Sequence, residues 1–323
     1  MTRILPASVD DLLFRQDGVL TRAQALQTGL TDKYMVAALR SGRWQRLHTG
    51  VYAAFSGPPP RGAQLWAAVL RAGPEAVLSH QTAAELHGIG NQVAVIHVTV
   101  SPGRQVTSAR GLAVHRCARV DQARHPARLP PRTRIEETVL DLAVSAASLD
   151  DALGWVLRAC GSRRTTPDRL AAVLARRARV RWRAELSAAL GLAADGVHSL
   201  LEFRYVNRVE RPHGLPAARR QRSVVRAGQR QYQDVTYQEY GLVVELDGQV
   251  AHPAESRWRD VRRDNANTAV GQGTLRYGWA DVTERPCFVA GQVAATLAAR
   301  GWTGVLRRCG RSCGLAGTGR AGT

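Results

Sequence analysis

No apolar run in this 323-residue chain approaches the roughly 18 residues that a membrane-crossing helix needs, so no such helix is expected. A secretory leader is not expected either, because Met1-Thr2-Arg3-Ile4-Leu5-Pro6 meets Asp10 and Asp11 before a hydrophobic region can form. Cysteine is sparse: five residues, an odd number, at positions 117, 160, 287, 309 and 313. Only Cys309 and Cys313 are close, and without nearby partners they make a poor zinc site. The reading is a cytoplasmic protein with free thiols and no membrane partner. Acid is the scarcer charge, with 26 Asp and Glu against 45 Lys and Arg, a net charge of +19 and a pI of about 11.2. That balance points to a polyanion, nucleic acid ahead of an anionic membrane surface. A high-GC genome would also raise Arg and Ala, so codon bias is a second source of the charge. The length suggests two or three domains with ample core.

What is present is a concentration of carboxylates between Gln231 and Gly248. Tyr232 to Tyr237 and Leu242 to Asp247 are rich in aromatic and β-branched residues, with Gln238-Glu239-Tyr240-Gly241 as the turn between two strands. A turn centred between Glu239 and Tyr240 pairs Tyr237 with Leu242 and sets Asp234 opposite Glu245. Side chains alternate along a strand, so Glu245 and Asp247 share one face. Leu242, Val243, Val244 and Leu246 are apolar on both faces, as in a strand buried from both sides. Carboxylates gathered in such a place cannot all stay ionised unless a cation is present. The spacing therefore predicts a metal site, and acids facing water on a solvated hairpin are the alternative.

The same residues carry a family resemblance. Asp234, a spacer, then Glu245 and Asp247 at the end of the next strand resemble the P-D-(D/E)-x-K nuclease superfamily. More narrowly, Val243-Val244-Glu245-Leu246-Asp247-Gly248-Gln249-Val250-Ala251-His252, then Arg262-Arg263-Asp264-Asn265, then Leu275 to Val282, is similar to proteins related to very-short-patch repair endonucleases. The resemblance covers about residues 195 to 300. It implies that Asp234 and Glu245 bind Mg²⁺ or Mn²⁺, and that Glu202, in Ser199-Leu200-Leu201-Glu202, is the acid of the preceding helix. The superfamily's lysine position holds Asp247, which cannot stabilise a phosphate as an ammonium does. His252 or one of Arg262, Arg263 and Arg276 would have to supply that function, or the site is catalytically weak. Asp247 could orient the attacking water, His252 could act as general acid, and Arg262 and Arg263 could clamp phosphate.

The first 55 or so residues read as a DNA-binding module. Val9, Leu12 and Leu13 stripe a first helix. Thr21 caps a second helix that ends at Gly29, and Thr31 caps a third over Asp32 to Arg40. On that third helix Lys33, Ala37 and Arg40 share a face, while Met35, Ala38 and Leu39 turn inward. Strands at Trp44 to His48 and Val51 to Ala54 follow, joined at Thr49-Gly50. Three helices and a hairpin spell a winged helix whose third helix enters the major groove, with Lys33, Arg40, Arg43 and Arg46 meeting DNA. The segment from Gly18 to Ala53 resembles the N-terminal domain of AbiEi-type antitoxins, which implies a repressor and a toxin partner protein. A protein-contact role for the same module is the alternative.

After the linker Ser56 to Gly62, the middle region looks like the second part of AbiEi-type proteins. Leu78 to Gly88 reads as a helix, Val93 to Val100 and Leu112 to His115 as strands, and Thr133 to Glu136 as a capping box. His80, His87, His97 and His115 match no ligand pattern and read as isolated residues. Arg176, Arg177, Arg179, Arg181 and Arg183 form either a solvated helix face or a grip on DNA. The fold class expected is α/β overall: a winged helix at 1–58, an α+β domain at 63–190, a restriction-endonuclease-like mixed sheet flanked by helices at 195–300, and a disordered tail at 301–323. The function expected is metal-dependent DNA cleavage, with a non-catalytic antitoxin-like repressor as the alternative.

Overall fold

The protein is described by a computed structural model at residues 7–226, 229–247, 265 and 267–315. Among the described residues it is a mixed α/β structure with three small sheets. Two compact units divide it, Met1–Ala147 with Ala172–Arg181, and Ser148–Ala171 with Trp182–Thr323. Among the described residues no helix is long and apolar enough to cross a membrane.

The first unit opens with α1 (Ala7–Arg15), β1 (Val19–Thr21), α2 (Arg22–Gln27), α3 (Asp32–Arg40), β2 (Gln45–His48) and β3 (Val51–Ala53). The expected caps form. Thr21 accepts the Gln24 N–H at 3.1 Å and Gln24 accepts the Thr21 N–H at 2.9 Å, which satisfies two otherwise orphaned donors. Thr31 accepts the Tyr34 N–H at 3.2 Å. Val9, Leu20, Ala25, Met35, Ala38 and Trp44 bury one core, with Trp44 edge-on to Tyr34. One strand escaped the sequence pattern: β1, only three residues long, pairs with β3 and makes the sheet order β1-β3-β2.

The same unit continues through α4 (Arg61–Ala72), β4 (Val77–Leu78), α5 (His80–His87), β5 (Ile96–Val100), β6 (Leu112–Arg116), α6 (Val120–Ala123) and α7 (Ile135–Ser145). Here β4 and β5 are antiparallel, and β5 and β6 parallel. The expected capping box at Thr133 does not form. Its hydroxyl lies 2.6 Å from that of Thr138, and α7 starts after Arg134 without a side-chain cap. Arg177 also departs from both readings of the arginine run. It is buried, bonded to Glu137 and, at 2.8 Å, to Asp141, so it neutralises interior acids rather than facing water or phosphate.

In the second unit, α8 (Leu149–Gly161) and the start of α9 (Pro167–Arg176) precede α10 (Arg183–Ala194). A single helical run follows: α11 (Leu200–Arg204), a π-helical stretch (Tyr205–Glu210) and α12 (Arg211–His213). Next come β7 (Arg219–Arg226), β8 (Gln229–Tyr237), β9 (Leu242–Asp247), β10 (Gly273–Gly278), α13 (Trp279–Glu284) and α14 (Pro286–Ala298). The sheet order is β10-β9-β8-β7, with β7, β8 and β9 antiparallel and β10 parallel to β9. Leu242, Val243 and Val244 are fully buried, as their apolar run predicted. The stretch from Trp302 to Cys313, expected to be disordered, packs instead: Trp302 and Leu306 meet the core and Cys313 is buried. Two apolar side chains and a thiol anchor a segment whose Gly and Arg content had suggested otherwise; residues 316–323 lie outside those described.

A buried polar network crosses this second core. Arg220 bonds Glu210 at 2.6 Å, Glu210 accepts from the Tyr237 hydroxyl at 3.4 Å, and that hydroxyl lies 3.0 Å from the one on Tyr205. Burial pushes the Glu210 carboxyl above its ordinary range, while Arg220 pulls it back. Replacing Arg220 by Met should leave Glu210 buried without its cation and cost about 3–5 kcal/mol. Urea unfolding measures this, and a loss below about 1 kcal/mol would show that the pair is not a structural necessity.

Candidate active site

The acids of the second unit are positioned from three directions. Glu202 lies in the first turn of α11, whose cap Ser199 accepts the Glu202 N–H at 3.1 Å. Its own carboxylate turns back to accept the His198 N–H at 3.1 Å, so a nearly buried side chain is held at the helix start. Asp234 comes from β8 and accepts the backbone N–H of Leu246 on β9 at 3.0 Å. The pairs Tyr237 with Leu242, Thr236 with Val243 and Val235 with Val244 are those the turn had implied, and they stop one step short of Asp234 and Glu245. Glu245 is 3% exposed. Asp247, two residues on, forms an ion pair with Arg276 at 3.4 Å, and Arg276 is the register partner of Glu245 across the parallel β9–β10 pair.

Gln221 was missed from the sequence and ties the acids together. Its Nε2 donates to Glu202 Oε1 at 3.0 Å and to Asp234 Oδ1 at 3.3 Å. The flanking pairs, Arg220 with Val235 and Arg222 with Gln233, place it opposite Asp234. Its φ of 45° is unusual for a residue with a Cβ and carries strain of order 1 kcal/mol. A glutamine on an arginine-rich strand gives no sequence signal of this role. Burial pushes the Glu202 carboxyl up to about 7; the charge of Asp234 adds to this, and hydrogen bonds from His198, Ser199 and Gln221 oppose it.

His252, Arg262 and Arg263 lie outside the described residues. In the first unit Lys33, Arg40, Arg43 and Arg46 are all exposed, while Met35 and Ala38 are buried, so the division of faces on α3 follows its periodicity. Arg43 also sits over the Tyr34 ring, 5.9 Å from its centroid.

Two clusters correct the sequence reading. Three of the histidines are not isolated. His80 stacks on His115 with centroids 3.7 Å apart, and His115 Nε2 lies 2.9 Å from His97 Nδ1. Burial, helped by His115 and His97, lowers the His80 pKa to about 3, which makes this a neutral stack. Parity could have found part of it, because His97 pairs with Ala113 and His115 lies two residues further along the same face of β6. The second cluster joins His213, Cys287, Cys309 and Cys313. Cys309 and Cys313 do have partners, but these lie far off in sequence. Among the described residues this is the one group of three or more ligand-type side chains gathered closely enough to hold an ion.

No protein-family model matches the sequence, and no curated protein does. Among solved structures, it is similar to the crystal structure of the RV2827C protein from Mycobacterium tuberculosis, at 18% identity and a TM-score of 0.39. That match covers 59% of this chain and 80% of the other. A likeness this low says nothing of activity.

The state of Glu202 has a measurable consequence. A carboxyl raised in the folded state keeps its proton where the unfolded chain has lost it, so the contribution of Glu202 to stability is greatest below about pH 4.5 and is lost as pH rises through about 7. The expected fall is on the order of 3 kcal/mol. Comparing urea unfolding of the unaltered protein and Glu202→Gln between these limits should show the slope flattened in the variant. Superimposable pH profiles would mean that Glu202 ionises normally.

Proposed function

We propose that this protein is a divalent-cation-dependent DNA endonuclease brought to duplex DNA by its N-terminal module. The observation that carries the reading is the Glu202–Gln221–Asp234 bridge. Two carboxylates share one side-chain donor, and one of them is raised in pKa in part by the charge of the other. A cation relieves that repulsion. The donors are all hard oxygens, which fits Mg²⁺ or Mn²⁺: Glu202 and Asp234 would hold the ion, with Glu245 as a further donor. When bound, the ion supplies charge stabilisation at the phosphate and lowers the pKa of water.

The chain's own groups do the rest. Gln221 and the Leu246 N–H fix the carboxylates in place. Of the four candidates for the missing lysine, Arg276 is the one within the described residues; it adjoins Asp247, and we assign it the role of gripping phosphate. A helix bearing Glu202 ahead of a mixed sheet whose middle strands carry Asp234 and Glu245 is the arrangement the P-D-(D/E)-x-K resemblance implies. The three helices and small sheet of the first unit support a winged helix, with α3 in the major groove and Lys33, Arg40, Arg43 and Arg46 at phosphates or bases.

The second reading, an antitoxin-like repressor with a toxin partner and a purely structural nuclease-like domain, is favoured by one observation: Asp247, paired to Arg276, stands where a free lysine would act. Incubation with supercoiled plasmid separates the two. Nicking or cutting with Mg²⁺ or Mn²⁺, lost in EDTA, is the expected result. Gln221→Leu should slow it about 10–100-fold, as for a group that orients a ligand. Asp234→Ala should do more, with DNA binding retained. If Asp234→Ala combined with Glu245→Ala cleaves as fast as the unaltered protein, the site is elsewhere.

DNA binding has its own test. Changing Lys33, Arg40, Arg43 and Arg46 together to alanine should weaken duplex binding and flatten its log–log salt dependence, by about 0.9 for each phosphate no longer neutralised. An unchanged slope would assign this face to another role.

A further inference from the structure

We infer that His213, Cys287, Cys309 and Cys313 form a four-ligand zinc site that fastens the C-terminal segment to the second unit. The four ligand atoms all lie within 4.8 Å of one another. Cys287 Sγ is 3.6 Å from both Cys309 Sγ and Cys313 Sγ, and Cys313 Sγ is 3.8 Å from His213 Nε2. A tetrahedral zinc with Zn–S of about 2.3 Å and Zn–N of about 2.0 Å has S···S edges of about 3.8 Å and S···N edges of about 3.5 Å. Three of the six edges of that tetrahedron are therefore already matched within about 0.3 Å, and the other three are no longer than 4.8 Å. They do not form a disulfide, whose sulfurs would be about 2.05 Å apart.

The histidine supports the same conclusion. His213 is fully buried, and its Nδ1 lies 2.9 Å from the Val209 carbonyl oxygen. A carbonyl only accepts, so Nδ1 carries the proton and Nε2 presents its lone pair to the sulfurs. A backbone carbonyl that orients the far nitrogen is the usual outer support of a zinc-bound imidazole. A core histidine packed for its own sake would not need three thiols at its acceptor nitrogen.

The surrounding backbone holds the ligands in place. The Cys313 N–H bonds the Gly310 carbonyl at 3.2 Å, which closes a turn between the last two cysteines. The Arg307 N–H donates to the His213 carbonyl at 2.8 Å, and Arg308 donates to the Cys313 carbonyl at 3.2 Å. Thiolate-rich donor sets select soft or borderline ions, and four protein ligands leave no open position. The site is structural: it joins the end of α12, the start of α14 and the segment after Trp302. It shares no residue with the acids, so its fate is independent of the endonuclease reading.

Metal analysis of the full chain, purified under reducing conditions without chelators, tests this. About one zinc per chain is expected. Cys309→Ser, at an exposed position, should cut retained zinc at least tenfold after dialysis, and Cys117→Ser should leave it unchanged. Cobalt(II) added to zinc-stripped protein should give the intense visible bands of tetrahedral geometry with near-ultraviolet thiolate charge transfer, weakened in Cys309→Ser. The bands of the unaltered chain are informative even if Cys309→Ser fails to fold. Stripped protein that binds neither Zn²⁺ nor Co²⁺, iron in place of zinc, or a disulfide among the three cysteines in freshly isolated protein would each overturn the assignment.

Discussion

The pairing of β8 with β9 is the constraint on which the second unit depends. Side chains alternate with a period of two, so a slip of one residue in β8 would carry Asp234 to the opposite face of the sheet while Glu245 kept its own. The register is set at the turn. Gly241 takes a left-handed φ of 57°, which a side chain would resist, and Arg300 donates to the carbonyls of Tyr240, Gly241 and Gly271 around it. With Tyr237 fixed against Leu242, Asp234 lies beside β9, and the separate β7–β8 register sets Gln221 opposite Asp234.

That register also explains how so many polar groups are tolerated inside. Successive residues of β8 and β9 serve different layers, so Tyr237 can join Glu210, Arg220 and Tyr205 while Asp234 reaches Glu202 through Gln221. Each layer gives its charge a partner. The helical run from Leu200 to His213 contributes to both, with Glu202 near its start and Glu210 further along. A buried charge without a partner is strongly destabilising, so neither network can be thinned one residue at a time without loss.

Much of this was legible in the sequence where the signal is local. The caps at Thr21 and Thr31, the inward face of α3, and the turn and register of the β8–β9 hairpin all follow from residues within a few positions of each other. What escaped was long-range or ran against composition. The arginines of β7 look like a surface strand, yet Arg220 pairs with Glu210 indoors. Arg177 sits within a run of arginines but completes an ion pair with residues far upstream. Cys309 and Cys313 could be paired by spacing, but no spacing rule reaches back to Cys287 and His213. The difference is physical: backbone geometry limits nearby residues to a few arrangements, and distant ones meet only once the sheet exists.

The π-helical stretch from Tyr205 to Glu210 sorts two chemistries along one rod. In an unbroken α-helix Glu202 and His213, eleven positions apart, would be three turns apart and would project almost the same way. The wider i→i+5 rings wind less per residue, so the far end lags in phase and the two side chains diverge. Glu202 meets Gln221 of β7, whereas His213 meets Cys313 of the C-terminal segment. An ion in the proposed sulfur–nitrogen site would share no ligand with one held by the proposed carboxylate site, although one continuous helical run contributes a residue to each.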